Sequence, residues 1–184
     1  MIRFCYRSVI DAPVERVFAF HQQPDALERL LPVWPPVRVI RRTGGLEPGS
    51  LVELELRFGP MRLRWLARHT GYRKNEFFSD EQVRGPFRFW RHRHGFESLV
   101  DGRCVLVDEV EFSLPLGPLS DWLVGRAVKH MLRNMFAARH ALTAAACGAA
   151  VCQESGPAAY ARSTDDPAGV RGRRPLEESA SGRR

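Results

Sequence analysis

The sequence predicts an α+β fold in which an antiparallel sheet of about six to seven strands is closed by one long C-terminal helix. Three observations point to it. Several stretches between residues 37 and 114 alternate apolar and polar side chains, the period of a strand with one buried face. Glycine, proline and aspartate turn signals separate them, so neighbouring strands are joined by hairpins. Apolar residues then recur at helical spacing over about residues 119–147. Hairpin-linked strands followed by a helix give a segregated α+β arrangement rather than alternating β/α units.

The elements follow in order. Ile2, Phe4, Tyr6 and Ser8 alternate over residues 2–10, a strand. Asp11-Ala12-Pro13 then opens a helix carrying Val14, Val17, Phe18 and Phe20. Pro24-Asp25 starts a second, short helix with Leu27, Leu30 and Leu31 on one side, and the Pro32–Pro36 stretch ends it. Val37–Arg42 reads as a strand, and Gly44-Gly45 and Pro48-Gly49 mark turns. Leu51–Phe58 and Arg62–Tyr72 flank a Gly59-Pro60 turn. Their tightest pairing sets Leu56 opposite Leu63, Leu54 opposite Trp65 and Glu55 opposite Arg64. Two strands about a Gly85-Pro86 turn occupy Phe78–Phe96, and Val105–Leu114 is the last long strand, after a turn at Asp101-Gly102.

In the closing helix Leu119, Trp122, Leu123, Ala127, Met131, Met135, Ala138 and Leu142 form the expected core stripe. Arg126, Lys129, Arg133 and Arg139 lie away from its centre. At about 1.5 Å per residue the helix is about 40 Å long, enough to cross a small domain. Residues 148–184 are rich in Ala, Gly, Ser, Pro and Arg, with few large apolar groups. Such a segment does not bury enough surface to offset its ordering entropy, so a disordered tail is expected there, after a domain spanning 1–147.

A net charge of +7 invites a nucleic-acid reading. However, lysine occurs only at Lys74 and Lys129, which makes the arginine excess first a compositional habit. Arg57, Arg62, Arg64, Arg68, Arg91 and Arg93 fall on the outer sheet face, where Glu53 and Glu55 pair some of them. No aromatic side chains interleave that ladder, as a single-strand platform needs, so nucleic acid is not the expected partner. Cys5, Cys104, Cys147 and Cys152 form no C-x-x-C pair; free thiols in a reducing cytoplasm are expected, with Cys5 and Cys104 buried in strands. No window is apolar enough for a membrane span and the N-terminus carries no secretory pattern. P-loop, G-x-G-x-x-G and G-x-S-x-G motifs are absent.

The stretch Phe78–Phe96, FSDEQVRGPFRFWRHRHGF, carries the functional question. Trp90, His92, His94 and Phe96 alternate, so two aromatics and two imidazoles share one face. Facing inward they form a pocket wall; facing outward they form a basic surface strand.

The chain resembles the START-like (SRPBCC) superfamily. The resemblance rests on F-x-Y-x-S-x-I-x-A-P-x-E-x-V-F near the start, F-x-D-x-Q-x-x-G-P-F-x-x-W-x-H-x-H-x-F in the middle, and D-E-V-E-F-S-L-P-L-G-P-L before the long helix. It covers about residues 1–145 and is closest to bacterial ligand-binding SRPBCC proteins of cyclase/dehydrase type. It implies a helix-grip fold, a curved sheet wrapped around the C-terminal helix over a deep apolar cavity. It also implies binding of a hydrophobic small molecule, without fixing a reaction.

The last strand tests which way the motif faces. Leu106, Val110, Phe112 and Leu114 share a face with Asp108, and that face must point inward. A two-residue Asp101-Gly102 turn sets Trp90 and Phe96 on the opposite face. A three-residue turn with a glycine bulge shifts the pairing by one. Phe96 then faces Leu106, His94 faces Asp108, His92 faces Val110 and Trp90 faces Phe112. The second register agrees with burial and is the expected one.

On it, a small-molecule site comprises Asp80, Gln82, His92, His94 and Asp108, with walls of Trp65, Phe78, Trp90 and Phe96. Polyketide-like aromatics, quinones, isoprenoids and lipids are the candidate ligands. The competing readings are a buried polar network that only fixes register, and a cyclase or dehydratase in which His94 and Asp108 transfer protons. A basic interaction module remains a third. His69 is expected as a satisfied core histidine. Two histidines alternating on one strand define no third ligand, so neither a metal nor another cofactor is expected.

Overall fold

The structure, a computed structural model, describes residues 1–33 and 35–152. The order is β1 (Ile2–Ile10), α1 (Val14–His21), α2 (Ala26–Arg29), β2 (Val37–Thr43), β3 (Leu51–Phe58), β4 (Met61–Arg73), β5 (Phe77–Arg84), β6 (Phe89–Ser98), β7 (Cys104–Ser113), α3 (Pro118–Ala146) and β8 (Val151–Cys152). The eight strands form one antiparallel sheet in the order β2-β3-β4-β5-β6-β7-β1-β8. Consecutive hairpins build β2 to β7, and β1 returns beside β7. Register shifts interrupt β4–β5 between Leu66 and Ala67 and between His69 and Gly71. Such irregularities bend a strand and increase its twist, which curves this sheet.

The two decisive hairpins have the expected registers. Leu54, Glu55 and Leu56 pair with Trp65, Arg64 and Leu63. Trp90, His92, His94 and Phe96 pair with Phe112, Val110, Asp108 and Leu106. The β6–β7 loop has three residues, Val100-Asp101-Gly102, closed by the Leu99 N–H donating to Arg103 O at 2.8 Å. Gly102 sits at φ +81°, in the left-handed region where only glycine is unstrained. That position sets the pairing one residue away from the two-residue alternative.

Helix α3 starts as proline and aspartate direct. Pro118 occupies the first turn, where its missing N–H is harmless. Asp121 Oδ1 accepts the Leu114 N–H at 2.7 Å, and its Oδ2 accepts the Ser113 hydroxyl and the N-terminal ammonium. One carboxylate thus ties the chain start, the end of β7 and the first turn of α3.

The buried face of α3 differs from the expected stripe. Leu132, Phe136, His140, Thr143 and Ala144 are buried, whereas Trp122 and Leu123 are 77% and 61% exposed and Leu142 is exposed. Ala127, Met131, Met135, Ala138 and Leu142 line a groove against Leu30, Leu31, Pro32 and Val33, and of these Met131 and Met135 also reach the space between α3 and the sheet. The helix has apolar residues on two sides. The inward file was disguised by Gly125, His140 and Thr143, which are not large apolar groups. At Gly125 a Cβ would stand 2.5 Å from Ile2 Cδ1, so glycine lets α3 approach β1 closely.

Two apolar clusters result. One joins α1 to the sheet through Val17, Phe18, Phe78, Phe96 and Leu106. The other packs α3 on the sheet through Phe4, Trp90, Val110, Phe112, Leu132 and Phe136. Burying each such aromatic or leucine side chain contributes about 1.5–3 kcal/mol.

Two expectations, the end of the domain and the burial of Cys5, are corrected here. Strand β8 pairs with Val9 and Ile10 of β1, so the domain continues past residue 147 to Cys152. Gly148 at φ +63° ends α3 and turns the chain back for that pairing. The rest of the expected tail, residues 153–184, lies outside the described residues. Cys5 is exposed rather than buried, although all four cysteines are free thiols. Strand β8 also takes the sheet to eight strands.

The outer face pairs many of its charges. Glu55 is buried under Arg38, Arg57 and Arg64, Arg64 also meets Glu53, and Arg93 meets Glu109. Among the described residues no helix is long and apolar enough to cross a membrane.

Candidate functional site

Cross-strand registry assembles the site on the inner sheet face. On β7, Asp108 lies between Leu106 of one apolar cluster and Val110 of the other. Its ladder neighbours are His94 on β6 and Tyr6 on β1. One step along, Val110 faces His92, which faces Asp80, which faces His69. Strand alternation therefore places three histidines and two carboxylates side by side.

Asp108 is the hub. Its Oδ1 accepts from His92 Nε2 at 2.8 Å and from His94 Nδ1 at 2.7 Å, and its Oδ2 accepts from His140 Nε2 at 2.7 Å. All four residues are buried. A carboxylate only accepts, so these three ring nitrogens carry the protons. The other nitrogens of the β6 pair turn toward Asp80. His92 Nδ1 and His94 Nε2 stand 3.8 and 3.7 Å from Asp80 Oδ2, longer than a hydrogen bond. The two imidazole centroids are 3.8 Å apart, and Phe78 stacks on His94 at 4.2 Å.

The electrostatics follow from burial against pairing. Burial alone raises the Asp108 carboxyl, but the His94 charge and the hydrogen bonds from His140, His92 and His94 overcome it, holding the group well below the usual carboxylate range. For His94 burial works downward, and the Asp108 charge, the bond to Asp108 and the nearby Asp80 carboxylate reverse it, leaving its pKa raised. His92 stays low because burial and the neighbouring His94 outweigh Asp108. Asp80 is lowered: burial opposes, and His94 and His92 prevail. His69 is lowered by burial, and in His21 burial drives the value to about 3.

These groups form the polar part of a cavity of about 360 Å³ between the sheet and α3. Leu54, Leu56, Leu63, Trp65 and Ala67 line it from β3 and β4, and Met131, Leu132, Met135 and Phe136 from α3. Ala26 and Leu30 bound it on the α2 side. Its walls are mostly apolar, with polar groups from His21, Arg42, His69, Asp80, His92, His94 and Arg139.

Six of the expected site residues line this cavity: Trp65, Phe78, Asp80, Trp90, His92 and His94. Three do not. Gln82 closes the β5–β6 turn, its amide donating to Phe87 O at 2.7 Å and accepting the Phe87 N–H at 3.2 Å. Phe96 packs in the core against Phe18 and His21. Asp108 lies behind the histidines, in contact with them but not with the cavity. His69 borders the cavity and its Nδ1 is buried with no hydrogen-bond partner, so it is not the satisfied core histidine expected.

His140 and Arg139 were missed. The series Val128, Leu132, Phe136, His140, Ala144 at four-residue steps carried the signal for His140. Arg139 was assigned to the solvent side with the wrong stripe.

Residues 10–136 match the family model described as polyketide cyclase / dehydrase and lipid transport. The chain belongs to this family. The expected START-like membership and helix-grip fold are therefore borne out, and the family supports hydrophobic ligand binding or cyclase-type function in general. No curated protein matches the chain in sequence. Solved structures share the fold. A protein from Thermus thermophilus is 15% identical, covering 79% of this chain and 97% of its own, with a TM-score of 0.62. A protein from Arthrobacter aurescens is 16% identical, covering 78% and 86%, with a TM-score of 0.61. Norcoclaurine synthase from Thalictrum flavum, solved with dopamine and hydroxybenzaldehyde, is 11% identical, covering 77% and 84%, with a TM-score of 0.58.

Proposed function

We propose that this family member binds one apolar small molecule in the cavity under α3, with the ligand's polar end against Asp80, His92 and His94. Polyketide-like aromatics, quinones, isoprenoids and lipids are the ligand classes. The observation that carries the reading is the cavity itself. About 360 Å³ lined by leucine, methionine and aromatic side chains, with a few converging polar groups, is the construction of a small-molecule site. The norcoclaurine synthase neighbour, solved with two small aromatic molecules, is in keeping with it.

Native mass spectrometry of the purified protein, followed by extraction, tests this directly. A 1:1 adduct that leaves on organic extraction is expected. An apolar fluorescent probe should bind with the same stoichiometry, and Ala67→Phe, which fills the cavity, should abolish both. Absence of an adduct together with absence of saturable probe binding sinks the proposal.

A second reading is favoured by one feature. His92 and His94 each present an outer ring nitrogen on the cavity side while Asp108 holds the inner one, the arrangement of an oriented acid–base group. On that reading His94 moves a proton on a polyketide-like substrate, and Asp108 acts through it. His94→Ala then keeps probe binding and abolishes turnover; equal loss of both leaves recognition alone.

A further inference from the structure

We propose that Asp80, His92 and His94 form a binding site for one divalent first-row transition metal ion, zinc or iron(II) in class, at the polar floor of the cavity. The inference stands on the cluster's geometry and does not depend on which apolar molecule the cavity takes.

Three features combine. The three ligand atoms, His92 Nδ1, His94 Nε2 and a carboxylate oxygen of Asp80, lie within 4.8 Å of one another. Strand alternation supplies only the two histidines; the β5–β6 register adds the third ligand by placing Asp80 opposite His92. Metal bonds of about 2.0–2.2 Å in a tetrahedral site put neighbouring ligand atoms roughly 3.3–3.6 Å apart. The observed 3.7 and 3.8 Å to Asp80 Oδ2 need an inward shift of a few tenths of an ångström, and the edge between the two ring nitrogens, within 4.8 Å, closes further as the rings turn onto the ion.

The second feature is the shell behind the ligands. A metal-binding histidine donates its other N–H to a carboxylate, which fixes the ring and leaves the free lone pair aimed at the ion. Both histidines do this here, and to the same oxygen, Asp108 Oδ1. Asp108 is held in turn by His140. The second nitrogens of both rings are thus turned toward Asp80.

The third is access. All three ligand residues line the cavity, so the remaining coordination positions open toward it. Two imidazoles and one carboxylate with open positions is a donor set suited to zinc or iron(II) rather than to magnesium or calcium, which take oxygen ligands.

The test uses tag-free, chelator-treated full-length protein, titrated calorimetrically with zinc chloride and spectroscopically with cobalt(II). One equivalent is expected to bind. Asp80→Asn and His92→Gln should each weaken it about tenfold or more. His130→Ala, an exposed histidine beside Asn134 and remote from the ligand set, should leave it unchanged. No stoichiometric binding, or equal affinity in Asp80→Asn, overturns the proposal. So does a cobalt–thiolate charge-transfer band, which places the ion on a cysteine. Folding of the variants is checked by circular dichroism and urea unfolding. If His92→Gln does not fold, Asp80→Asn decides. Probe binding by the chelator-treated wild-type protein tests the cavity reading separately, so probe binding without any metal binding overturns this inference and leaves that reading standing.

Discussion

Replacing Asp108 by asparagine removes one buried charge with almost no change of shape, and its cost follows from the three bonds it makes. The asparagine carbonyl still accepts from His92 and His94, but without the negative charge. Charge-assisted bonds are about twice as strong as neutral ones, so each loses about 1 kcal/mol. The amide NH₂ then faces His140 Nε2, which must give up its proton. The proton moves to His140 Nδ1, which is buried with no hydrogen-bond partner. An unsatisfied buried N–H adds about 1–3 kcal/mol. The expected loss is therefore about 3–5 kcal/mol, the range for breaking a buried ionic contact.

Urea unfolding monitored by tryptophan fluorescence and circular dichroism measures it. The pH dependence gives a second readout. His94 has a raised pKa in the folded protein, with burial overcome by Asp108. That contribution is fully present below the ordinary histidine value and is lost as pH rises through the folded one. The lowered Asp108 pKa contributes above the ordinary carboxylate value and is lost only as pH falls below it. Between pH 5 and 9 the gap between wild type and Asp108→Asn should therefore narrow toward alkaline pH. A loss below about 1 kcal/mol, or a gap constant across that range, refutes the account of Asp108 as the hub.

Other consequences are tested as simply. His21 is neutral down to about pH 3 when folded but protonates near 6.5 when unfolded, so stability falls as pH drops below 6.5. By pH 4 the loss from this group is about 3 kcal/mol, and His21→Phe should flatten the slope of unfolding free energy against pH. Phe136→Ala, at a fully buried position of α3, should cost about 3–5 kcal/mol in denaturant unfolding. Trp122→Ser should stay within about 0.5 kcal/mol; the opposite ranking would restore the face first read from the sequence. In the β6–β7 loop, Gly102→Ala meets no neighbouring atom and should cost about 1–2 kcal/mol for its positive φ alone. Deleting Val100 forces the other register, and cooperative unfolding should vanish in a thermal melt.

Strand residues were more legible than helix residues, for a physical reason. On β6 and β7 the large residues Trp90, Phe96, Leu106, Val110 and Phe112 share one face only in the register of the three-residue turn, and it is the one found. On α3 apolar residues occupy two sides, and the buried file includes glycine, histidine and threonine. Large side chains such as Trp122 dominate a periodicity although they are exposed. Gln82 shows the same limit: its alternate position aimed it at the site, but the β5–β6 turn offered its amide two nearer backbone partners. Hydrogen bonds to a specific loop are set by local geometry that alternation does not encode. His140 reached Asp108 across 32 residues, a contact that depends on how α3 is rotated over the sheet.

That contact also bears on what the polar cluster is for. Asp108 sits where the two apolar clusters meet, with Leu106 and Val110 on either side. A leucine there would join them into one core. Replacing buried ionic groups by well-packed apolar ones is often neutral or stabilising, so stability alone does not call for a carboxylate bonded to three imidazoles. Register does not call for it either. The Gly102 loop and the alternation of Trp90, Phe96, Leu106 and Phe112 already fix the pairing of β6 with β7. What the carboxylate alone supplies is the orientation of the His92 and His94 rings, inner nitrogens protonated and outer nitrogens turned to the cavity and Asp80. A hub that neither stability nor register calls for, and whose one distinct effect falls on the cavity wall, supports the proposal that this wall meets a ligand.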